Sequence, residues 1–202
     1  MSTDDKTLVR CQWPSNDLLM ITYHDEEWGV PVHDDRKLFE YLVLDAFQAG
    51  LSWKTILYRR KGFRRAFDNF DPYKIAKYGI DDFDRLMIDS SIIRNKAKIR
   101  GTIKNASVFL KVVEEFGSFN KYIWQFTGYK TIHNKWKTNS EVPASSAESD
   151  LMSKDMKKRG FSFCGTTICY AFMQAAGMIN DHSVDCFRHS ELMKLQLQHD
   201  SK

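Results

Sequence analysis

A chain of 202 residues, 43% of them hydrophobic, can bury one substantial core or two small lobes sharing a cleft. No window approaches the ~18 consecutive apolar residues that cross a bilayer. The N-terminus, Met-Ser-Thr-Asp-Asp-Lys, lacks the apolar stretch of a secretory signal, so a soluble, cytoplasmic protein without a membrane partner is expected. A net charge of +4 is only mildly basic, and the distribution of charge says more than the total.

Along the chain, helical periodicity recurs and alternating runs of Val, Ile and Thr are missing, which predicts an all-α protein with short connections. Asp34 is a plausible N-cap for a helix over 35–49, with Gly50 as its stop. Asp71-Pro72 opens another with proline at the first position. Further helices read at about 81–89, 94–115, 118–126, 149–158 and 166–177, the last closed by Gly177. The polar, serine-rich stretch 128–149 with Pro143 reads as a long loop between two helical portions. Residues 1–8 and 200–202 read as frayed ends.

Basic residues gather at 59–65, at 94–104 and at 154–159. They make one surface if the fold brings them together, and three solvated helix faces if it does not. In Phe163-Cys164-Gly165-Thr166-Thr167-Ile168 a glycine precedes an apolar helix start. Unpaired N–H groups at such a helix N-terminus seat a phosphate, and Lys157, Lys158 and Arg159 lie just upstream.

Four cysteines without a Cys-x-x-Cys argue against both a disulfide framework and a zinc ribbon. Cys11 and His24 stand near one end of the chain, and His182 and Cys186, four apart, near the other. His-x-x-x-Cys puts both side chains on one face of a helical turn, about 5–6 Å apart, and a Cys2His2 set fills a closed tetrahedral zinc site. Spacing alone also admits unrelated core or surface roles for the four. Cys164 and Cys169 read as buried, inert thiols, and His33, His133, His189 and His199 as solvated.

On the helix over 35–49, the line Leu38, Leu42, Asp45, Ala49 follows a single face, so Asp45 interrupts an apolar stripe. A buried carboxylate must find a partner, neutralise, or face a pocket. Trp13, Tyr23, Trp28 and Trp53 are near in sequence, and two or three of them suit stacking on a flat ligand, although aromatics are more often core.

Taken together, Cys11-Gln12-Trp13, Tyr23-His24-Asp25-Glu26-Glu27-Trp28-Gly29-Val30-Pro31, Gln48-Ala49-Gly50-Leu51-Ser52-Trp53, Ile92-Ile93-Arg94-Asn95-Lys96 and Lys157-Lys158-Arg159-Gly160-Phe161 resemble the bacterial 3-methyladenine DNA glycosylase I family. So does the closing run from Gly165 to Tyr170 and on through Asn180-Asp181-His182 to Cys186, and the blocks span about 9–187. The resemblance implies an all-α helix-hairpin-helix DNA glycosylase fold, a single unit over 1–202 with two helical lobes around a base-binding cleft. It implies one structural Zn2+ on Cys11, His24, His182 and Cys186, joining the N- and C-terminal segments. Stacking and base contacts fall on Trp13, Tyr23 and Trp53, the catalytic carboxylate on Asp45, and the DNA-binding hairpin on about 158–177, with Lys158, Gly165 and Thr166.

The chain departs from the family pattern in places. Asp45 stands where that pattern carries glutamate, and is one methylene shorter; Met20 replaces a pocket tyrosine; Phe163 stands where related hairpins often carry glycine; Asn180 lies near the position of a catalytic aspartate in the wider superfamily. The resemblance implies a monomeric enzyme that releases 3-methyladenine from double-stranded DNA; no lysine in the matching blocks is placed for Schiff-base chemistry, so a monofunctional enzyme that does not cut the strand is expected. A zinc-dependent deaminase is disfavoured, because four protein ligands leave no water position and its His-x-Glu…Pro-Cys-x-x-Cys signature is absent. A non-catalytic module that binds alkylation damage is the remaining alternative.

Overall fold

A computed structural model describes residues 8–200, with side chains described as far as Leu195. The ends expected to fray, 1–7 and 201–202 among them, and the side chain of His199 lie outside the described residues. The described chain is mostly helical: α1 (Leu18–Glu26), α2 (Asp35–Gln48), α3 (Trp53–Ala66), α4 (Pro72–Ile75), α5 (Ile80–Ile88), α6 (Lys96–Phe116), α7 (Phe119–Trp124), α8 (Ala147–Arg159), α9 (Thr166–Ala175) and α10 (Phe187–Asp200). No helix is long and apolar enough to cross a membrane.

The centre is α2. The Asp34 carboxylate accepts from the Lys37 amide at 2.8 Å and starts the helix as its sequence predicts. Every residue from Leu38 to Phe47 is buried, so α2 is covered on all sides by its packing against α3, α6, α7 and α9. Its C-terminal end is held by more than Gly50: the buried Lys98 donates to the carbonyls of Phe47 and Ala49 at 2.7 and 2.6 Å, so a cation neutralises the negative end of the helix.

Three helices escaped the periodicity reading, α1, α3 and α10, and the long loop is more structured than expected. Within it β1 (Ile132–His133) pairs in parallel with β2 (Ile179–Asn180), and α8 begins at Ala147 under a Ser146 cap. Two residues per strand are too few to show alternation, and their partners lie 47 positions away. Expected solvation also fails at His189, which is 6% exposed and bonded through Nε2 to the Asn134 carbonyl at 2.8 Å.

Two backbone features place the segments around the site. The α8–α9 turn docks on α6: Asn105 donates to the Ser162 carbonyl and accepts from its amide at 2.9 and 2.7 Å. There Phe163 has φ +57°, the left-handed conformation that favours glycine, whereas Gly165 has φ −63°. After α9, Gly177 has φ +71°, and a Cβ on it would overlap the backbone of Val30 and Pro31. That close approach lets Gly29 N–H reach the Gln174 carbonyl and Val32 N–H the Ala176 carbonyl, both at 3.0 Å. Gly177→Ala is therefore expected to cost more than about 2 kcal/mol in urea unfolding. Gly165→Ala, with open space where its Cβ would go, should stay within about 0.5 kcal/mol.

Candidate functional site

A cavity of about 320 Å³ opens between α2, α3, α9 and the segment that carries Trp13 and Tyr23. Its aromatic wall is continuous: the Trp13 and Tyr23 rings lie 6.3 Å apart, Tyr23 and Trp53 5.0 Å, Trp13 and Trp28 5.1 Å. Asp45 and Gln48 of α2, Thr167, Tyr170 and Gln174 of α9, and residues 139 and 142–144 complete it. Trp13, Tyr23, Trp53 and Asp45, separated by up to forty residues, thus share one chamber, as the sequence suggested.

Three buried polar atoms at this cavity have no protein partner: Trp13 Nε1, Trp53 Nε1 and Asp45 Oδ2. An unpaired buried polar atom costs about 1–3 kcal/mol, so three around one cavity mark a place shaped for something other than stability. Asp45 is 2% exposed, and burial pushes its carboxyl well above the ordinary range, opposed by the Arg60 guanidinium. Arg60 itself is engaged by Glu40 at 2.6 Å and Glu27 at 2.9 Å. Of the three outcomes open to a buried carboxylate, Asp45 takes two: it favours the neutral form and faces a pocket.

Beside the aromatic wall lies a second cluster. Cys11 Sγ is 3.6 Å from His182 Nδ1, and Cys186 Sγ is 3.5 Å from both His24 Nε2 and His182 Nδ1. The two imidazole nitrogens are 3.2 Å apart, and all four residues are buried. A tetrahedral ion about 2.3 Å from sulfur and 2.0–2.1 Å from nitrogen sets its ligand atoms about 3.3–3.8 Å apart; these four separations run from 3.2 to 3.6 Å, and all four ligand atoms lie within 4.8 Å of one another. Each imidazole is fixed through its other nitrogen, His24 Nδ1 by Asp25 at 2.7 Å and His182 Nε2 by the Trp28 carbonyl at 3.0 Å. Cys186 is held far below the ordinary thiol range, first by Cys11 and then by His182 and His24, while that contact and burial push Cys11 up. The anticipated helical turn for His182 and Cys186 is absent: both precede α10, in a turn closed by Cys186 N–H to the Ser183 carbonyl at 2.9 Å. A turn converges these side chains as well as a helix would, so the residues were legible and their local structure was not.

The cluster and the cavity share walls. Trp13 packs on His24 with ring centroids 5.4 Å apart, and Trp28 on His182 at 4.6 Å. Cys164 and Cys169 are buried, with thiols pushed up by that burial. Asn180 is buried and bonded to His133 and the His189 carbonyl. Its neighbour Asp181 accepts four hydrogen bonds of 2.7 Å, from Asn134, Trp136, Tyr170 and Gln174. Tyr170 and Asp181 lie in the blocks that carry the family resemblance but received no role from sequence, and Gln174 was not named. The signal available was a polar line, Thr167, Tyr170, Gln174, on an otherwise apolar helix.

At the α8–α9 turn, Gly165 begins α9 without a side-chain cap, and the Thr166 hydroxyl is already bonded to Ser149 and Asp150. Lys158 is exposed and shares a shallow groove with Gln125, Phe126, Leu151, Lys154 and Asp155. Lys157 and Lys104 are the cations whose field reaches Cys164 in the turn. The Asn105–Ser162 hydrogen bonds hold the Lys104 end of α6 against this turn, which follows the 154–159 cluster. The 59–65 cluster is partly consumed inside, through Arg60 and through Arg64 to Glu40.

A helical protein with an aromatic cavity floored by an unpaired carboxyl, flanked by a Cys2His2 cluster, is a defined class, and comparison identifies it. The methyladenine glycosylase family model matches residues 13–189; the chain belongs to this family. It is 48% identical over 179 residues to DNA-3-methyladenine glycosylase 1 of Escherichia coli (strain K12), covering 89% of this chain and 96% of that one. It is 45% identical over 178 residues to DNA-3-methyladenine glycosylase of Haemophilus influenzae, covering 88% and 96%. A crystal structure of 3-methyladenine DNA glycosylase I superposes with TM-score 0.85 at 46% identity, covering 89% of this chain and 98% of that one. The Staphylococcus aureus structure, described as the basis of 3-methyladenine recognition, does so with TM-score 0.85 at 33% identity, covering 88% and 95%.

The state of Asp45 has a consequence for stability. Unfolded, an aspartate ionises near pH 4; folded, Asp45 holds its proton to higher pH. Between the two, only the unfolded state has released the proton, so this group's contribution to stability falls as pH rises through that window. Asp45→Asn is expected to raise the melting temperature at pH 7–8, with the difference closing as pH approaches 4, measured by calorimetry across that range.

Proposed function

We propose that this protein is a monofunctional DNA glycosylase that hydrolyses the N-glycosidic bond of 3-methyladenine in double-stranded DNA, acting as a monomer in the cytoplasm. The observation that carries the reading is Asp45 Oδ2, a buried carboxyl oxygen without a partner in a cavity walled by aromatic rings.

A purine methylated at N3 is cationic, and its glycosidic bond is already weakened, so the protein needs little acid catalysis. It has to extrude the nucleotide, hold the base and admit water to the sugar carbon. Ionising Asp45 in the empty cavity is costly, because burial penalises its charge. A cationic base offsets that penalty and a neutral adenine does not, so recognition and ionisation are coupled. The rings of Tyr23, Trp53 and Trp13 stack on an electron-poor base, a contact worth roughly 1–3 kcal/mol per base. Asp181 takes no part as a base in this scheme, since four donors occupy its oxygens.

The α8–α9 turn is read as a helix-hairpin-helix element. The uncapped first amides of α9, beginning at Gly165 and Thr166, would receive a backbone phosphate. Lys157, Lys158 and Lys104 supply the surrounding positive field. The unit over 1–202 would then present two helical lobes around the base-binding cleft. Cys11, His24, His182 and Cys186 would hold one Zn2+, which suits two thiolates and two imidazoles. Four protein ligands leave no open position, so the ion's role is structural.

Asp45→Asn is expected to lower kcat/KM for release of 3-methyladenine from methylated DNA by about 10–100-fold, the range for loss of a hydrogen bond to a charged group. Asp45→Glu should keep activity, and the product should be an uncut abasic site. Chromatography of released bases measures this. No released 3-methyladenine from the wild type removes the enzyme reading, and release unaffected by Asp45→Asn removes the role given to the carboxylate. Withdrawing the metal with a chelator should lower the melting temperature by roughly 10 °C, a loss of a few kcal/mol at about 2–4 °C each. His182→Ala should reproduce that shift without chelator, and an unchanged melting temperature in both would count against the metal.

A further inference from the structure

Along α9, Tyr170 and Gln174 stand one turn apart and face the cavity, and both donate to the same oxygen, Asp181 Oδ2, at 2.7 Å. The other oxygen, Oδ1, is filled by Asn134 Nδ2 and Trp136 Nε1 at 2.7 Å each. Asp181 is 3% exposed and saturated, so it is a rigid acceptor. An ionised carboxylate has only lone pairs to offer. It therefore decides which way round the Gln174 amide sits, an orientation that amides otherwise leave open: nitrogen toward Asp181, carbonyl oxygen turned away from it. The Tyr170 hydroxyl donates its hydrogen bond to Asp181, which leaves its oxygen able only to accept. On the α9 wall a bound base therefore meets the Thr167 hydroxyl and two acceptor oxygens, those of Tyr170 and Gln174, and the Gln174 carbonyl is the one whose direction Asp181 sets through the amide.

We infer that Gln174, oriented by Asp181, is a specificity-determining residue that accepts a hydrogen bond from the exocyclic amine of the base and so favours 3-methyladenine over 3-methylguanine. The inference rests on the base-binding reading of the cavity. Adenine carries an amine donor where guanine carries a carbonyl acceptor. A guanine lesion in the same pose sets two acceptors against each other, both deprived of water, and the wrong base then loses about tenfold or more. Asp181 is the positioning residue: it never meets the base and acts only through the amide it locks.

The test uses the full-length protein and DNA treated with a methylating agent, with rates of release of 3-methyladenine and 3-methylguanine measured separately. Gln174→Met keeps the length of the side chain and removes the amide. The ratio of the two kcat/KM values should fall about tenfold, through slower release of 3-methyladenine and faster release of 3-methylguanine as the facing acceptor is removed. Asp181→Asn should lower the ratio in the wild-type background, because asparagine can face either end of the amide, and should change nothing further in Gln174→Met. A ratio unmoved by Gln174→Met, or an equal fall for both lesions, overturns the inference. An equal effect of Asp181→Asn in both backgrounds overturns the positioning role. If circular dichroism shows that Asp181→Asn does not fold, Gln174→Met alone decides. A wild type that releases neither lesion overturns the base-binding reading and this inference together, and is told apart by that control.

Discussion

Burial of α2 on every side is the constraint from which the rest follows. A helix without a solvent face has to resolve each charge it carries, and two carboxylates lie on its buried stretch. Glu40 is resolved by Arg60 and Arg64 at 2.6 and 2.8 Å, and Arg60 is anchored in turn by Glu27 and lies over the Tyr41 ring. Asp45, just over one turn further on, receives no such partner for Oδ2. The same helix thus holds one acid that fastens the structure and one left unsatisfied, and a cavity opens beside the second.

The contrast explains what was legible in the sequence. Asp45 stood out because a charge on the Leu38–Leu42 line breaks a 3.6-residue pattern that needs no partner to be seen. The Asp34 cap and the Asp71-Pro72 start are local chemistry, and both appear where expected, with Asp71 accepting from the Tyr73 and Lys74 amides. α3 was missed because Arg60 interrupts its apolar line from Ile56 to Phe63, whereas in the fold Arg60 is 5% exposed and buried on that same side. α1 was missed because its buried side is only Met20, Tyr23 and His24, of which Tyr23 lines the cavity and His24 joins the Cys/His cluster, leaving no apolar stripe to read. The Asp181 hub could not be read at all, since Asn134 and Trp136 reach it from 45 or more positions away.

Charge shows the same division between local and distant information. Three basic clusters are plain in sequence, but only the fold separates them. The pairing of Asn105 with Ser162, and the close approach of Gly101 to the Phe163 ring, carry the α6 cluster to the α8–α9 turn. From the first cluster, Arg60 and Arg64 turn to Glu40 of α2, while Lys61 and Arg65 stay exposed. Net charge alone would have counted all three alike.

The interleaving of the Cys/His cluster with the aromatic wall bears on how such a protein can diversify. Cys11 is two residues from Trp13, His24 follows Tyr23, and the Trp28 carbonyl fixes His182. On that side of the chamber, hardly any residue can be exchanged without disturbing the clamp that joins the two ends of the chain. The opposite side, formed by α2 and α9, contributes no member of the Cys/His cluster. Under the proposed base-binding role of the cavity, new lesion preferences, whether arising by descent or by design, have more open ground there, with Asp45 and Gln174 as the chemical handles.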